Sequence, residues 1–220
     1  MGLPQMRTEC VQLPRLYPIL DAEALERAGL PLAAAAQALR DAGLRWVQYR
    51  DKRASDVQVL DRLRLLRTVF PKGEAILLLN DRVALCVEAD ADGAHIGQED
   101  MAPAAARRLL GAARLLGVST HNPEQLSAAL ETGAADYLAV GPVYATGSKR
   151  NPDPVVGLEG MAAARAQTQL PLVAIGGISR ERGRAVLEAG ANSVAVISAV
   201  MASSAAAMTE TVRDFLAHLR

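Results

Sequence analysis

Short apolar runs of the kind that fill parallel strands recur along the chain. They lie at Leu16–Leu20, Trp46–Tyr49, Ala75–Leu79, Ala94–Ile96, Leu115–Val118, Tyr137–Val140, Leu172–Ile175 and Val194–Ile197. The fourth is weak and the first contains Pro18. Polar, glycine or proline residues bound each run, and most of the gaps carry helical periodicity. Pro31–Leu39 is one predicted helix. Asp56–Val69 is another, with Val57, Leu60, Leu63 and Leu66 on related faces. Ser55 with Gln58, and Asn122 with Gln125, have capping-box spacing, and Pro123 suits a first helical turn. Eight strands in 220 residues give roughly one βα unit per 27 residues, the repeat of an α/β barrel.

A local repeat supports that reading. Asp41-Ala42-Gly43, Glu131-Thr132-Gly133 and Glu188-Ala189-Gly190 each precede a strand by three or four residues. Glycine there supplies the left-handed conformation that ends a helix before the chain turns into the next strand. Stacked βα units imply a parallel sheet, either a closed barrel or a doubly wound open sheet. Eight strands alternating with helices, and no GxGxxG after the first, favour the barrel. The expectation is a single (β/α)8 TIM barrel spanning residues 1–220, with residues 1–14 as an arm over its bottom.

Composition narrows the partners. Lys+Arg and Asp+Glu are 24 each, so no net field recruits a polyanion. Aromatics at 3% are too few for base-stacking platforms. Nucleic acid and membrane are thus not expected as partners. Cys10 and Cys86 are isolated, and no run is long enough to cross a bilayer. A cytoplasmic protein acting on small molecules is expected, and a homo-oligomer is compatible with the sequence.

The polar residues gather at strand ends. Gln48, Arg50 and Lys52 alternate and share a face if the strand continues. Asn80-Asp81, Gly97-Gln98-Glu99-Asp100, Ser119-Thr120-His121, the long loop from Gly141, Gly176-Gly177 and Ser198 follow later strands. Seven of eight strands therefore deliver polar or glycine residues to the rim where barrels bind ligands. Arg50 and Lys52 suit an anion, or else pair with Asp51 or Asp56. Asp81 and Asp100 are each a possible helix N-cap, or together two hard oxygens for Mg²⁺ beside a phosphate. Gly176-Gly177 followed by Ser179 suits phosphate at a helix N-terminus, or a tight turn capped by Ser179. Thr146, Ser148 and Lys149 sit in the longest loop. His121 is a local cap or an acid/base group, His95 a packed or hydrogen-bonded strand-end residue, and His218 a surface residue. Two phosphate-type sites on one rim suggest an enzyme handling two phosphorylated substrates.

The strings Gln48-Tyr49-Arg50-Asp51-Lys52, Asn80-Asp81, Gly93 to Asp100, Gly117 to His121, Gly141 to Lys149, Ala174 to Ile178 and Val196 to Ser198, taken in order, resemble the motif series of the thiamine-phosphate synthase family. The resemblance implies a barrel that joins a hydroxymethylpyrimidine diphosphate to a thiazole phosphate, releasing pyrophosphate, and CO₂ too when the thiazole is carboxylated. It implies that Gln48, Arg50, Lys52, Asn80, Ser119 and Lys149 hold the pyrimidine diphosphate, with Arg50, Ser119 and Lys149 catalytic. It assigns Mg²⁺ to Asp81 and Asp100, and the thiazole phosphate to Thr146, Ser148, Gly177, Ile197 and Ser198. Arg82 stands where an acidic residue is frequent in the family, and Ser148 where threonine is usual. Two alternatives are a related metal-free thiazole tautomerase using a histidine at the position of His121, and a non-catalytic phosphate-ligand sensor on the same scaffold.

Overall fold

A computed structural model describes residues 11–147 and 153–220. Eight parallel strands close into a barrel in sequence order. They are β1 (Leu16–Asp21), β2 (Trp46–Arg50), β3 (Ile76–Asn80), β4 (Gly93–Ile96), β5 (Leu115–Thr120), β6 (Tyr137–Val140), β7 (Leu172–Ile175) and β8 (Ser193–Val196). All eight expected strands are present. The weak fourth run is a fully buried strand, and Pro18 sits within β1 opposite Val196.

Helices alternate with the strands. They are α1 (Ala22–Ala28), α2 (Leu32–Asp41), α3 (Asp56–Val69), α4 (Val83–Glu88), α5 (Pro103–Leu110), α6 (Pro123–Thr132), α7 (Gly157–Gln167), α8 (Arg180–Glu188) and α9 (Ala205–His218). The Ser55 box closes on both sides, with Oγ accepting from Gln58 N–H and Gln58 Oε1 accepting from Ser55 N–H. The second box is displaced by one residue: Asn122 caps Gln125 N–H, but the Gln125 side chain reaches back to His121 N–H. The three repeated glycines, Gly43, Gly133 and Gly190, have φ of 90°, 59° and 111°. The same left-handed exit is therefore used three times, as the repeat predicts.

Closure divides the core in two. Outward strand residues such as Leu20, Val47, Leu79 and Leu138 pack with the helices. Inward residues, among them Tyr17, Ile19, Trp46, Leu78, Tyr137 and Val173, form a separate cluster inside the barrel. Strands covered on both faces read as apolar runs rather than alternations, which is why they stand out in the sequence. Val11 and Leu13 pack against the inner cluster, so the described part of the arm plugs the barrel where the strands begin. Among the described residues no helix is long and apolar enough to cross a membrane.

The barrel centre also holds polar groups. Trp46 meets the rings of Tyr17 and Tyr137 edge-on, at 5.7 and 6.4 Å. His95 lies between Tyr137 and Ser119, bonded at 3.0 and 2.8 Å. Gly117 makes room for this arrangement, because a Cβ there would run into the Tyr137 ring and His95 Nδ1. Burial pushes the His95 imidazole down from 6.5 to about 4, against a smaller opposing pull from Asp100.

That displacement has a definite consequence for stability. Between pH 6.5 and about 4 the unfolded chain binds a proton that folded His95 refuses. Stability should therefore fall as pH drops through that window, by on the order of 3 kcal/mol. Urea unfolding of the wild type and His95→Gln across the window checks this. The variant is expected to lose that part of the slope, and parallel curves would refute it.

Candidate active site

The ends of β1 to β5 build one half of the rim. Gln48 is buried, and its Nε2 donates to the Tyr17 hydroxyl at 2.8 Å. Two residues on, Arg50 forms an ion pair with Asp21, a buried residue that also caps α1 by accepting from Ala24 N–H at 2.9 Å. Lys52 Nζ reaches Asp81 Oδ2 at 3.3 Å. The alternative pairing of Arg50 and Lys52 with Asp51 or Asp56 is not what forms. Asp51 instead accepts from the N–H groups of Arg53 and Ala54 and pairs with Arg62, which pins the loop that carries Lys52. Asp56 pairs with Arg82 at 3.0 Å.

Asp81 and Asp100 come together from adjacent strand ends, and neither caps a helix. Asp81 has φ of 64°, and its N–H donates to the His95 carbonyl at 2.8 Å, just outside α4. Asp100 instead turns back on its own loop, Oδ2 accepting from Gly97 N–H at 2.7 Å. Burial raises the Asp81 carboxyl to about 6, reinforced by the hydrogen bond and charge of Asp100 and opposed by Lys52. Two carboxylates this close, with one cation beside them, compete for a proton or a metal ion. Asn80 ends β3 half-buried. On β5, Ser119 Oγ pairs with His95 Nε2, and its carbonyl accepts from Gln98 Nε2 at 2.5 Å.

The other half of the rim is made by β6 to β8. After β6 the chain lies against the turn between β7 and α8, with Val143 N–H on the Ile175 carbonyl (2.9 Å) and Tyr144 N–H on that of Gly176 (3.0 Å). Gly176 and Gly177 have φ of 98° and 63°, and a Cβ on either would strike Pro142 or the Ala145 carbonyl. These glycines are therefore required by the close approach of the two loops as well as by the turn. Ser179 occupies the N-cap position of α8, but its hydroxyl donates to Glu181 rather than accepting a backbone N–H. Thr146 is half-buried on the loop after β6. Past β8, Ile197 is half-buried and Ser198 opens a 3-10 turn at the surface. Ser148 and Lys149 lie outside the described residues.

His121 joins the two loop ends. Its Nδ1 is 2.5 Å from the Gly141 carbonyl, and its Nε2 faces Asp153 Oδ2 at 3.5 Å. Both ring nitrogens are directed at protein groups, so the ring braces the loop. Cys86 is buried, and burial pushes its thiol up to about 12, which removes it as a nucleophile. His218 is at the surface.

Two recesses stand out among the described residues. One of about 470 Å³ is at the end opposite the rim, by Arg15, Arg184 and Arg220. Arg15 and Arg184 are already engaged with the Leu219 carbonyl and Glu188. The second, about 250 Å³, is a largely apolar space behind His121 and Val155.

Sequence reading missed three residues. Asp21 extends β1 beyond the apolar run and holds Arg50, so all eight strands supply the rim. The signal was available, since an acid directly after a strand run is the usual helix cap. Arg182 lies 4.5 Å over the Tyr144 ring and donates to the Gly177 carbonyl at 3.0 Å. Arg82 donates to Asp56 and to the Ala54 carbonyl at 2.6 Å. The departure from the family pattern at Arg82 thus braces the loop after β2.

Comparison with known proteins agrees with this architecture. The profile of the family described as thiamine monophosphate synthase matches residues 16–200. A thiamine-phosphate synthase of Koribacter versatilis is 48% identical, over 86% of this chain and 89% of its own length. One from Chloroflexus aurantiacus is 43% identical over 86% of each. The solved thiamine phosphate pyrophosphorylase of Pyrococcus furiosus superposes with a TM-score of 0.78 at 32% identity, covering 93% of this chain and 96% of that one. With eight strand ends carrying this set of side chains, the chain belongs to the thiamine monophosphate synthase family.

Proposed function

We propose that this protein is a thiamine-phosphate synthase, a transferase that joins a hydroxymethylpyrimidine diphosphate to a thiazole phosphate and releases pyrophosphate. The observation that carries the reading is the meeting of Lys52, Asp81 and Asp100 beside Arg50, Asn80, Gln48 and Ser119 at one rim. A diphosphate needs cations and a metal, and a heterocycle needs placed donors and acceptors. This rim supplies both within four successive strands, β2 to β5.

The residues fit Mg²⁺. Asp81 and Asp100 offer two hard oxygens close enough to perturb each other. Among the described residues no group of three or more His, Cys, Asp or Glu could hold a metal. Mg²⁺ is held by one or two carboxylates together with waters and substrate phosphate oxygens, and a pair of carboxylates is what this rim offers. When bound, Mg²⁺ would neutralise charge developing on the leaving pyrophosphate.

The chain's own groups do the rest. An electron-rich aminopyrimidine supports a cation at its exocyclic methylene once the carbon–oxygen bond to diphosphate breaks. Arg50 and Lys52, with Lys149 by the family pattern, stabilise the departing anion. Gln48, Asn80 and Ser119 fix the ring. Thr146, Ser148, Gly177, Ile197 and Ser198 hold the thiazole phosphate so that its ring nitrogen attacks before water does. A protein nucleophile is not part of this scheme. The similarity to thiamine-phosphate synthases over most of the chain favours coupling over the tautomerase alternative.

Two experiments test the assignment. Asp100→Ala is expected to lower Mg²⁺-dependent thiamine phosphate formation by about 10²-fold or more while leaving the unfolding curve near wild type. Full turnover by that variant, or by wild type in excess chelator, would defeat the metal assignment. Asp21→Asn keeps an oxygen to cap α1 but removes the charge that holds Arg50. It should lose about 10- to 100-fold in kcat/KM with a stability change near 1 kcal/mol. Unchanged kinetics would show that Arg50 needs no such anchor.

A further inference from the structure

Five polar side chains cross the centre of the barrel in one unbroken line. Gln48 Nε2 is 2.8 Å from the Tyr17 hydroxyl, which is 2.9 Å from that of Tyr137. Tyr137 is 3.0 Å from His95 Nδ1, and His95 Nε2 is 2.8 Å from Ser119 Oγ. Tyr17, Tyr137 and His95 are exposed by only 1, 0 and 8%, so water cannot substitute for a missing partner. The coupling reaction proposed above calls only on the two ends.

Proton counting gives such a line a direction. The Gln48 amide nitrogen can only donate, so the Tyr17 oxygen accepts and passes its own hydrogen to Tyr137. Tyr137 in turn donates to Nδ1, and the neutral imidazole keeps its hydrogen on Nε2 for Ser119 Oγ. At the rim this leaves the Gln48 carbonyl oxygen as an acceptor, beside the second hydrogen of its amide, and the Ser119 hydroxyl hydrogen as a donor. Charges at the rim favour this sense. Arg50 and Lys52 follow Gln48 on the same strand end, where an outward oxygen is favourable. Asp81 and Asp100 follow β3 and β4, the strands before the one that carries Ser119, where an outward hydrogen is favourable.

We propose that Tyr17 and Tyr137 are positioning residues. Acting through His95, they hold Gln48 as a hydrogen-bond acceptor and Ser119 as a donor toward the aminopyrimidine. The inference rests on the coupling reaction above and adds to it a basis for substrate choice. A 4-aminopyrimidine carries an amine donor on one edge and a ring nitrogen acceptor across from it. A 4-oxo analogue presents an acceptor where the amine would be, and a locked relay opposes it. The rejection resides in groups that never touch the substrate. Breaking the line in its middle should free both ends to rotate.

The test compares wild type, Tyr137→Phe and Tyr17→Phe on the 4-amino and 4-oxo pyrimidine diphosphates, with thiazole phosphate as acceptor. Urea unfolding establishes that each variant is folded. Tyr137→Phe is expected to raise KM for the amino substrate by roughly 10-fold or more, to leave KM for thiazole phosphate unchanged, and to narrow the amino-over-oxo preference. Equal losses on both pyrimidines, or an unchanged preference, would overturn the proposal. In the free wild-type enzyme, ¹⁵N spectra should show His95 protonated on Nε2 and bare on Nδ1. The opposite tautomer would overturn the direction of the line. A wild type that makes no thiamine phosphate would instead refute the coupling reaction, while the tautomer would still report on the relay.

Discussion

Closure of the parallel sheet is the constraint on which the molecule depends. A barrel of eight parallel strands has no free edge, and its strands are covered outside by helices and filled inside by each other. Apolar side chains therefore occupy most strand positions, and polar chemistry is displaced to the ends. At the end where strands begin, the arm residues Val11 and Leu13 pack on the inner cluster. The opposite end remains for function. Asp21, Arg50, Asn80, Ser119 and the loops beyond them meet there because each stands at or next to the C-terminal end of its strand.

The same closure explains why the rim residues are held rather than merely present. Arg50 has Asp21, and Lys52 has Asp81. The loop after β2 is pinned by Asp51 from within and by Arg82 from the start of α4, where it is the N-cap residue. The loop after β6 is braced by His121 on one side, and on the other by the Gly176–Gly177 turn with Arg182 above Tyr144. Each brace restricts a cation or a backbone turn before a substrate arrives, which is the preorganisation that an anionic leaving group requires.

Much of this is legible in the sequence because barrel strands advertise themselves. Fully buried parallel strands leave continuous apolar runs, and the repeated glycine exits mark where helices stop. What the sequence hides is the identity of partners. Lys52 and Asp81 are 29 positions apart, and only the pairing of β2 with β3 brings their loops together. Asp81 and Asp100 each have the local look of a helix cap, and that local rule fails for both. Asp21 escaped notice because it stands one residue past an apolar run. Gln48 and Ser119 read as rim residues, and nothing in their neighbours reveals that Tyr17, Tyr137 and His95 connect them through the core.

The Asp81–Asp100 pair shows how far the fold goes to hold this rim in place. Asp81 takes a φ of 64°, a left-handed conformation that Asp adopts more readily than most side chains but less readily than glycine. Asp81 also bears a carboxyl that burial and a second carboxyl make reluctant to ionise. Neither feature serves stability, and an apolar residue in an ordinary turn would relieve both. The His95 carbonyl nevertheless fixes the Asp81 backbone, and Gly97 N–H fixes Asp100. Strain of this kind persists where the surroundings over-determine it and where a ligand makes use of it. Under the proposed assignment, a divalent cation would relieve the repulsion between the two carboxylates. His95 belongs to both systems: its carbonyl positions Asp81, and its imidazole positions Ser119. One buried residue thus sets the position of Asp81 and the orientation of Ser119, and a displacement of β4 would disturb both together.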